Sequence, residues 1–198
     1  SPVAARAAPP SFRYARPVSA PTSSPAHAIT VITNSPAATR ALAARIATVA
    51  APGDLICLWG ELGAGKTVVA KGFGLGLGVV GTISSPTFVL MAEYDGRLPL
   101  FHLDLYRLAD AADVLWGGLL DERQASGVTL VEWPDRLGAA LPDERLDVRI
   151  DGPGDDTRRI TLATDSSELA RYVAAADGAA AAPGAAAAPG SPPAAAVT

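Results

Sequence analysis

Residues 54 to 71 read Asp-Leu-Ile-Cys-Leu-Trp-Gly-Glu-Leu-Gly-Ala-Gly-Lys-Thr-Val-Val-Ala-Lys. After Asp54 the run to Trp59 is apolar without alternation, the pattern of a central strand covered on both faces. Gly60 to Thr67 then set three glycines ahead of a Lys-Thr pair. Lacking a Cβ, such glycines let backbone N–H groups turn inward and form a concave nest for an anion. A helix is expected from Lys66 onward, and its unpaired first-turn N–H groups and dipole add to that attraction. A strand, a Gly-x-x-x-x-Gly-Lys-Thr loop and a helix in that order make a phosphate-binding loop. In such a loop Lys66 reaches the β- and γ-phosphates and supports catalysis, and the Thr67 hydroxyl ligates Mg²⁺. The expected nucleotide contacts are Glu61, Leu62, Gly63, Ala64, Gly65, Lys66, Thr67 and Val68. The fold class that follows is α/β, a P-loop NTPase of three α/β/α layers, with a mostly parallel central sheet and inserted antiparallel strands.

Working outward, Ile29 to Thr33 is β-branched at every position and reads as a short strand. Ser35-Pro36 supplies an N-cap and a first-turn proline, and Leu42, Ile46 and Val49 recur at helical spacing to about Ala50. Beyond the loop, Gly72, Gly74, Gly76 and Gly78 predict a fraying helix, since each interior glycine costs about 1 kcal/mol. These glycines imitate a dinucleotide fingerprint, but they follow the helix start rather than joining strand to helix. Thr87 to Tyr94 and Leu98 to Leu105 read as two strands joined by Asp95-Gly96, a pair suited to a type I′ turn. Residues 109 to 125 carry mixed helical signals, and Val128 to Glu132 is another apolar strand. Leu146 to Ile150 and Arg158 to Leu162 form a second candidate hairpin, and Ser166 to Ala176 a last helix.

A phosphate-binding loop needs a carboxylate at the end of a neighbouring strand to hold the metal. Leu100-Phe-His-Leu-Asp104 and Val128-Thr-Leu-Val-Glu132 both supply one. Asp104 and Glu132 are therefore candidates both for catalysis and, with Thr67, for Mg²⁺; either is also at home as a strand-end acid paired with Arg107 or Arg136. Strand alternation puts His102 on the Asp104 face, where it either orients an acid or water or serves as a plain hydrogen-bonding residue. Ser84-Ser-Pro-Thr-Phe88 occupies the place of a switch-like loop. Trp133-Pro134 ends the Glu132 strand abruptly and sets an indole either beside the nucleotide or in the rim packing. The chain has no lysine besides Lys66 and Lys71, hence no Asn/Thr-Lys-x-Asp segment for guanine, and ATP is favoured. The absence of an arginine-rich insertion argues against a stand-alone small-molecule kinase, the alternative reading on this core.

Composition bounds the rest. With 198 residues, 49% of them hydrophobic, the chain holds one domain of ordinary size. Much of its alanine, however, falls in terminal stretches mixed with proline and glycine. The expected organisation is a disordered extension over 1–28, a P-loop ATPase domain over 29–176, and a disordered Ala/Pro/Gly tail over 177–198. Arg6, Arg13 and Arg16 without any acid also suit an organellar transit peptide, although the tail shares the same Ala/Pro bias. A net charge of -4 argues against gripping nucleic acid by charge alone, so RNA contact is expected through a partner. The single cysteine, Cys57, excludes a disulfide framework, no run is long enough to span a bilayer, and a cytoplasmic setting fits both.

Taken in order, Gly60-Glu-Leu-Gly-Ala-Gly-Lys-Thr67, Ser85-Pro-Thr-Phe88, His102-Leu-Asp-Leu-Tyr-Arg-Leu108 and Val131-Glu-Trp-Pro134 resemble the TsaE (YjeE-like) family over about residues 29 to 165. The resemblance implies a small ATPase that uses Mg²⁺ and is needed to form threonylcarbamoyladenosine at position 37 of tRNAs. It implies docking on TsaB and TsaD, contact with tRNA only through that complex, and ATP hydrolysis that resets the complex between rounds. Carried over by motif, Lys66 and Thr67 bind phosphate and metal, Glu132 ligates Mg²⁺, and Asp104 lies beside the nucleotide or activates water. Trp133 and Asp135 line the site. The family's N-terminal contact aligns near Ser35 and Pro36, and its C-terminal arginine with Arg158 or Arg159, of which Arg159 is taken.

Overall fold

The computed structural model describes residues 24–86, 90–107, 122–152 and 155–180. Its strands are β1 His27–Thr33, β2 Leu55–Trp59, β3 Met91–Tyr94, β4 Leu100–Asp104, β5 Val128–Glu132, β6 Leu146–Asp151 and β7 Arg158–Thr164. The helices are α1 Pro36–Ala47, α2 Lys66–Gly76 and α3 Ala170–Ala180, with short 3-10 helices at Glu122–Ser126 and Pro134–Ala140. The sheet runs β1-β7-β6-β2-β5-β4-β3. Its four central strands, β6, β2, β5 and β4, are parallel, and the antiparallel partners β3, β7 and β1 extend the two sides. The expected hairpins are present as β3–β4 and β6–β7, but Tyr94 pairs with Leu100, so residues 95–99 make a longer connection, and neither Asp95 nor Gly96 takes the positive φ of the expected type I′ turn. Residues 87–89 of the first hairpin and 109–121 of the mixed helical stretch lie outside the described residues.

Alternation along the central strands divides the core in two. Ile56, Leu58, Leu100, Val128, Leu130 and Val148 face α1, α2 and α3, with Phe73 and Tyr172 among the largest side chains of that layer. Leu55, Cys57, Phe101, Leu103 and Val131 face the opposite way and pack with Leu137. Among the described residues, 3-10 turns rather than an α-helix cover that second face. Burial pushes the Cys57 thiol well up, with Asp147 adding to the shift. No helix among the described residues is long and apolar enough to cross a membrane.

Ser35 caps α1, its hydroxyl accepting from the Ala38 N–H at 3.1 Å, and Pro36 opens the first turn, as the sequence predicts. The glycine string behaves differently: α2 continues through Gly72 and Gly74 to Gly76. The reason is helix crossing. A Cβ on Gly72 would lie 2.4 Å from the Arg40 carbonyl oxygen and 2.7 Å from the Ala43 Cβ, so only glycine lets α1 approach this closely. Gly72→Ala gains about 1 kcal/mol of helix propensity, but overpacking against backbone costs about 1–3 kcal/mol. The clash outweighs the gain because backbone cannot swing aside, and urea unfolding is expected to show net destabilisation. At the far end of the chain, Asp54 ties α3 to the sheet. It accepts from Arg171, from the Tyr172 hydroxyl at 2.5 Å and from the Ala51 N–H at 2.8 Å.

Candidate active site

The loop between β2 and α2 is shaped by backbone that other residues resist. Gly60 has φ +147°, and a Cβ there would meet the Ile150 carbonyl oxygen at 2.6 Å. Gly65, at φ +109°, is the left-handed N-cap of α2 and offers no side-chain oxygen; the Val68 N–H donates to its carbonyl at 2.9 Å, and the Lys66 and Thr67 N–H groups ahead of it face the loop where an anion would sit. Lys66 curls back, its Nζ donating to the Gly60 carbonyl at 2.6 Å and the Glu61 carbonyl at 2.9 Å. The same ammonium sits 3.7 Å from the centroid of the Trp133 ring. Burial pulls the Lys66 pKa below its ordinary value, against the opposing pull of Glu132, Asp104, Glu61 and Asp135. The ammonium is thus held partly desolvated, with two carbonyls standing where an anion's oxygens would serve better.

Register brings the acids together. Asp104 and Glu132 are Cα partners across β4 and β5, on the sheet face that carries α2. The Thr67 hydroxyl donates to the Glu132 carboxylate, with Oε1 at 3.2 Å and Oε2 at 3.4 Å. His102 Nε2 lies 3.0 Å from the same Oε1. Asp104 accepts at Oδ1 from the Tyr106 N–H at 3.0 Å and at Oδ2 from the Ser85 hydroxyl, which joins the switch-like loop to the acid. A cavity of about 430 Å³ is lined by Leu62, Gly63, Gly65, Lys66, Thr67, Val68, Ser85, Asp104, Tyr106, Arg107, Glu132 and Trp133. A second, of about 360 Å³, lies across the loop and is lined by Glu61, Leu62, Gly63, Ala64, Ile150, Asp151, Gly152 and Arg158.

The loop residues, Asp104, Glu132 and Trp133 therefore converge on two adjoining cavities. Ser35 does not; it caps α1 and lines neither cavity. Asp135 is exposed, paired with Arg136 at 3.9 Å, and lies outside the cavity lining, although its charge reaches Lys66. Arg159 is exposed on the far side of β7, whereas Arg158 lies on the helix-bearing side, where its Nε donates to the Ala64 carbonyl at 2.7 Å. Of the two neighbouring arginines, only Arg158 reaches the loop, for strand alternation sends them to opposite faces. Sequence reading passed over Tyr106 as a site residue. Its ring centroid lies 4.9 Å from that of Trp133, the planes tilted by 44°, and its position two residues after Asp104 is the signal that could have found it.

The donor set can be tested against Mg²⁺ and a nucleotide. Among the described residues no group of three or more His, Cys, Asp and Glu side chains is placed to hold a metal alone. A hydroxyl and a carboxylate beside an open anion nest suit Mg²⁺, which favours one or two protein oxygens completed by phosphate and water. Gly60, where any side chain would strike β6, supplies the cradle for phosphate. The residues present fit both groups.

Comparisons with known proteins agree with this geometry. The family model described as Threonylcarbamoyl adenosine biosynthesis protein TsaE matches residues 33–160. The tRNA threonylcarbamoyladenosine biosynthesis protein TsaE of Bacillus subtilis is 47% identical over 131 residues, which are 66% of this chain and 82% of that protein. Its counterpart in Streptomyces coelicolor is 40% identical over 131 residues, 62% of this chain and 88% of that protein. The crystal structure of Bacillus subtilis YdiB superposes with a TM-score of 0.61 at 36% identity, covering 77% of this chain and 94% of that one. With a Gly-x-x-x-x-Gly-Lys-Thr loop between β2 and α2, paired strand-end acids and a family model that spans β2 to β6, the chain belongs to the TsaE family of threonylcarbamoyl adenosine biosynthesis proteins.

Proposed function

We propose that the chain binds Mg-ATP in the two adjoining cavities and hydrolyses it, as the nucleotide-driven member of the cytoplasmic machinery that forms threonylcarbamoyladenosine in tRNA. One observation carries the reading: Thr67, Glu132, Asp104 and Lys66 line a single cavity beside an uncapped glycine nest. Lys66 exchanges the Gly60 and Glu61 carbonyls for phosphate oxygens, regaining the stabilisation that burial denies it. Thr67 and Glu132 would hold Mg²⁺, which when bound would supply positive charge to offset that of the phosphates. Asp104 orients the attacking water once its tie to Ser85 loosens, which makes Ser85 the sensor of nucleotide state. Trp133, in tilted contact with Tyr106 and facing Lys66, closes one side of the cavity.

The second cavity suits the nucleoside end of the ligand, and Arg158 holds the loop beside it. Losing one charge-assisted bond is worth about 1.5–3 kcal/mol, so Arg158→Ala should weaken ADP binding about 10-fold or more. Arg159→Ala should leave it unchanged, since that side chain faces away. Calorimetric titration of the two variants checks the assignment.

The chain works on TsaB and TsaD-like partners and meets tRNA only through them, resetting the complex after each round. Its effect should therefore appear in repeated turnover. Reconstituted TsaB and TsaD with tRNA should make threonylcarbamoyladenosine in a limited first round without this chain, and continue through many rounds when the chain and Mg-ATP are added. Equal multi-round yields with and without it would contradict the resetting role.

A further inference from the structure

His102 is the most buried polar group near the site and the one whose place the proposed chemistry leaves unexplained. It is fully buried in β4, between Cα partners Ala92 on β3 and Leu130 on β5. Its Nδ1 is buried and meets no hydrogen-bond partner among the described residues. An unmet buried nitrogen is destabilising, and an apolar side chain would suit such surroundings better. The ring's other nitrogen makes the one polar contact that explains its presence, 3.0 Å from Glu132 Oε1.

An ionised carboxylate only accepts, so the ring nitrogen facing it is the donor. Oε1 therefore receives from His102 on the sheet side and from Thr67 on the α2 side. These two contacts are not equivalent. The Thr67 oxygen is itself a proposed metal ligand, so its contact with Glu132 must rearrange when Mg²⁺ arrives, whereas the ring touches no ligand but Glu132. We infer that His102 is a positioning residue of the metal site, its Nε2–H tying down Glu132 Oε1 so that the carboxylate is already turned to take Mg²⁺. The inference rests on the Mg-nucleotide reading of the cavity. Partners that orient a ligating carboxylate in this way are worth about 10- to 100-fold in metal affinity.

The test is calorimetric titration of the full chain with ADP, in Mg²⁺ and in EDTA. His102→Leu, which keeps the bulk and removes the donor, is expected to erase about 10-fold or more of the Mg²⁺-dependent gain in affinity while leaving affinity in EDTA unchanged. His102→Gln places an N–H₂ at the same remove from Cβ as the ring's Nε2 and is expected to restore most of the gain. Equal losses in Mg²⁺ and EDTA, or an undiminished gain in His102→Leu, would overturn the inference and leave the proposed function standing. A wild-type chain whose ADP affinity ignores Mg²⁺ would overturn both. Should His102→Leu fail to fold, ¹⁵N-histidine labelling of the wild type decides, since His27 and His102 are the only histidines. The His102 proton is expected on Nε2, with a resonance that shifts with Mg-ADP and not with ADP in EDTA. A proton on Nδ1 alone, or an Nε2 signal indifferent to Mg²⁺, would overturn it.

Discussion

Lys66→Ala is expected to lower kcat/KM for Mg-ATP hydrolysis at least about 100-fold, the scale seen when one preorganised donor to a charged transition state is removed. The Lys66 side chain is buried at 5% exposure and pulled below its ordinary pKa, its ammonium donating to two loop carbonyls and facing an indole ring, with the charges of Glu132, Asp104, Glu61 and Asp135 offsetting part of the burial. It gains most of its stabilisation when phosphate arrives, and the loss should therefore fall on affinity and turnover together. The same arrangement predicts a stability effect in the nucleotide-free chain. With the folded pKa lowered, the unfolded chain binds more protons between that pKa and about 10.4, the ordinary lysine value, and stability rises with pH across this window. Lys66→Met should be the more stable form at neutral pH, and its advantage should shrink as pH rises. Urea unfolding of the two chains at neutral and alkaline pH reads that difference directly.

The second large effect is expected at Glu132. Glu132→Gln keeps the shape but removes the charge proposed to pair with Mg²⁺ and turns an amide toward Thr67 and His102, whose contacts now meet a carboxylate. Turnover should fall by about 100-fold or more, the scale of losing charge stabilisation at a transferring phosphate. ADP affinity in EDTA should hold or improve, since a buried negative charge no longer faces phosphate. Loss of affinity in EDTA as large as in Mg²⁺ would mean that Glu132 supports the loop rather than the metal. Titration of the variant in both conditions separates the two.

Most of this site is legible in the sequence because it is local in the chain. The Gly60 to Thr67 loop, its strand and its helix lie within consecutive residues whose backbone demands are recorded in residue type. The two acids are legible because strand alternation fixes their face once the strands are recognised, and parallel pairing then aligns Asp104 with Glu132. What stayed hidden depends on register between distant segments. Arg158 and Arg159 are indistinguishable by type, and only the pairing of β7 with β6 and β1 decides which of them meets Ala64. The glycines of α2 carry the same ambiguity: propensity reads Gly72 as a weak point, while the crossing with α1 makes it a requirement. Ser35 and Asp135 lie outside both cavity linings, one capping α1 and the other paired with Arg136, a placement that residue type alone does not give.

The central claim is that this cavity turns over Mg-ATP through Lys66. Steady-state phosphate release by the full chain, alone and with TsaB and TsaD-like partners, tests it most directly, with Lys66→Ala as the comparison. The expected result is slow release alone, faster release with the partners, and none above background in the variant. Release that is equal in wild type and Lys66→Ala, or phosphate passed to a small-molecule acceptor with no response to the partners, would contradict it.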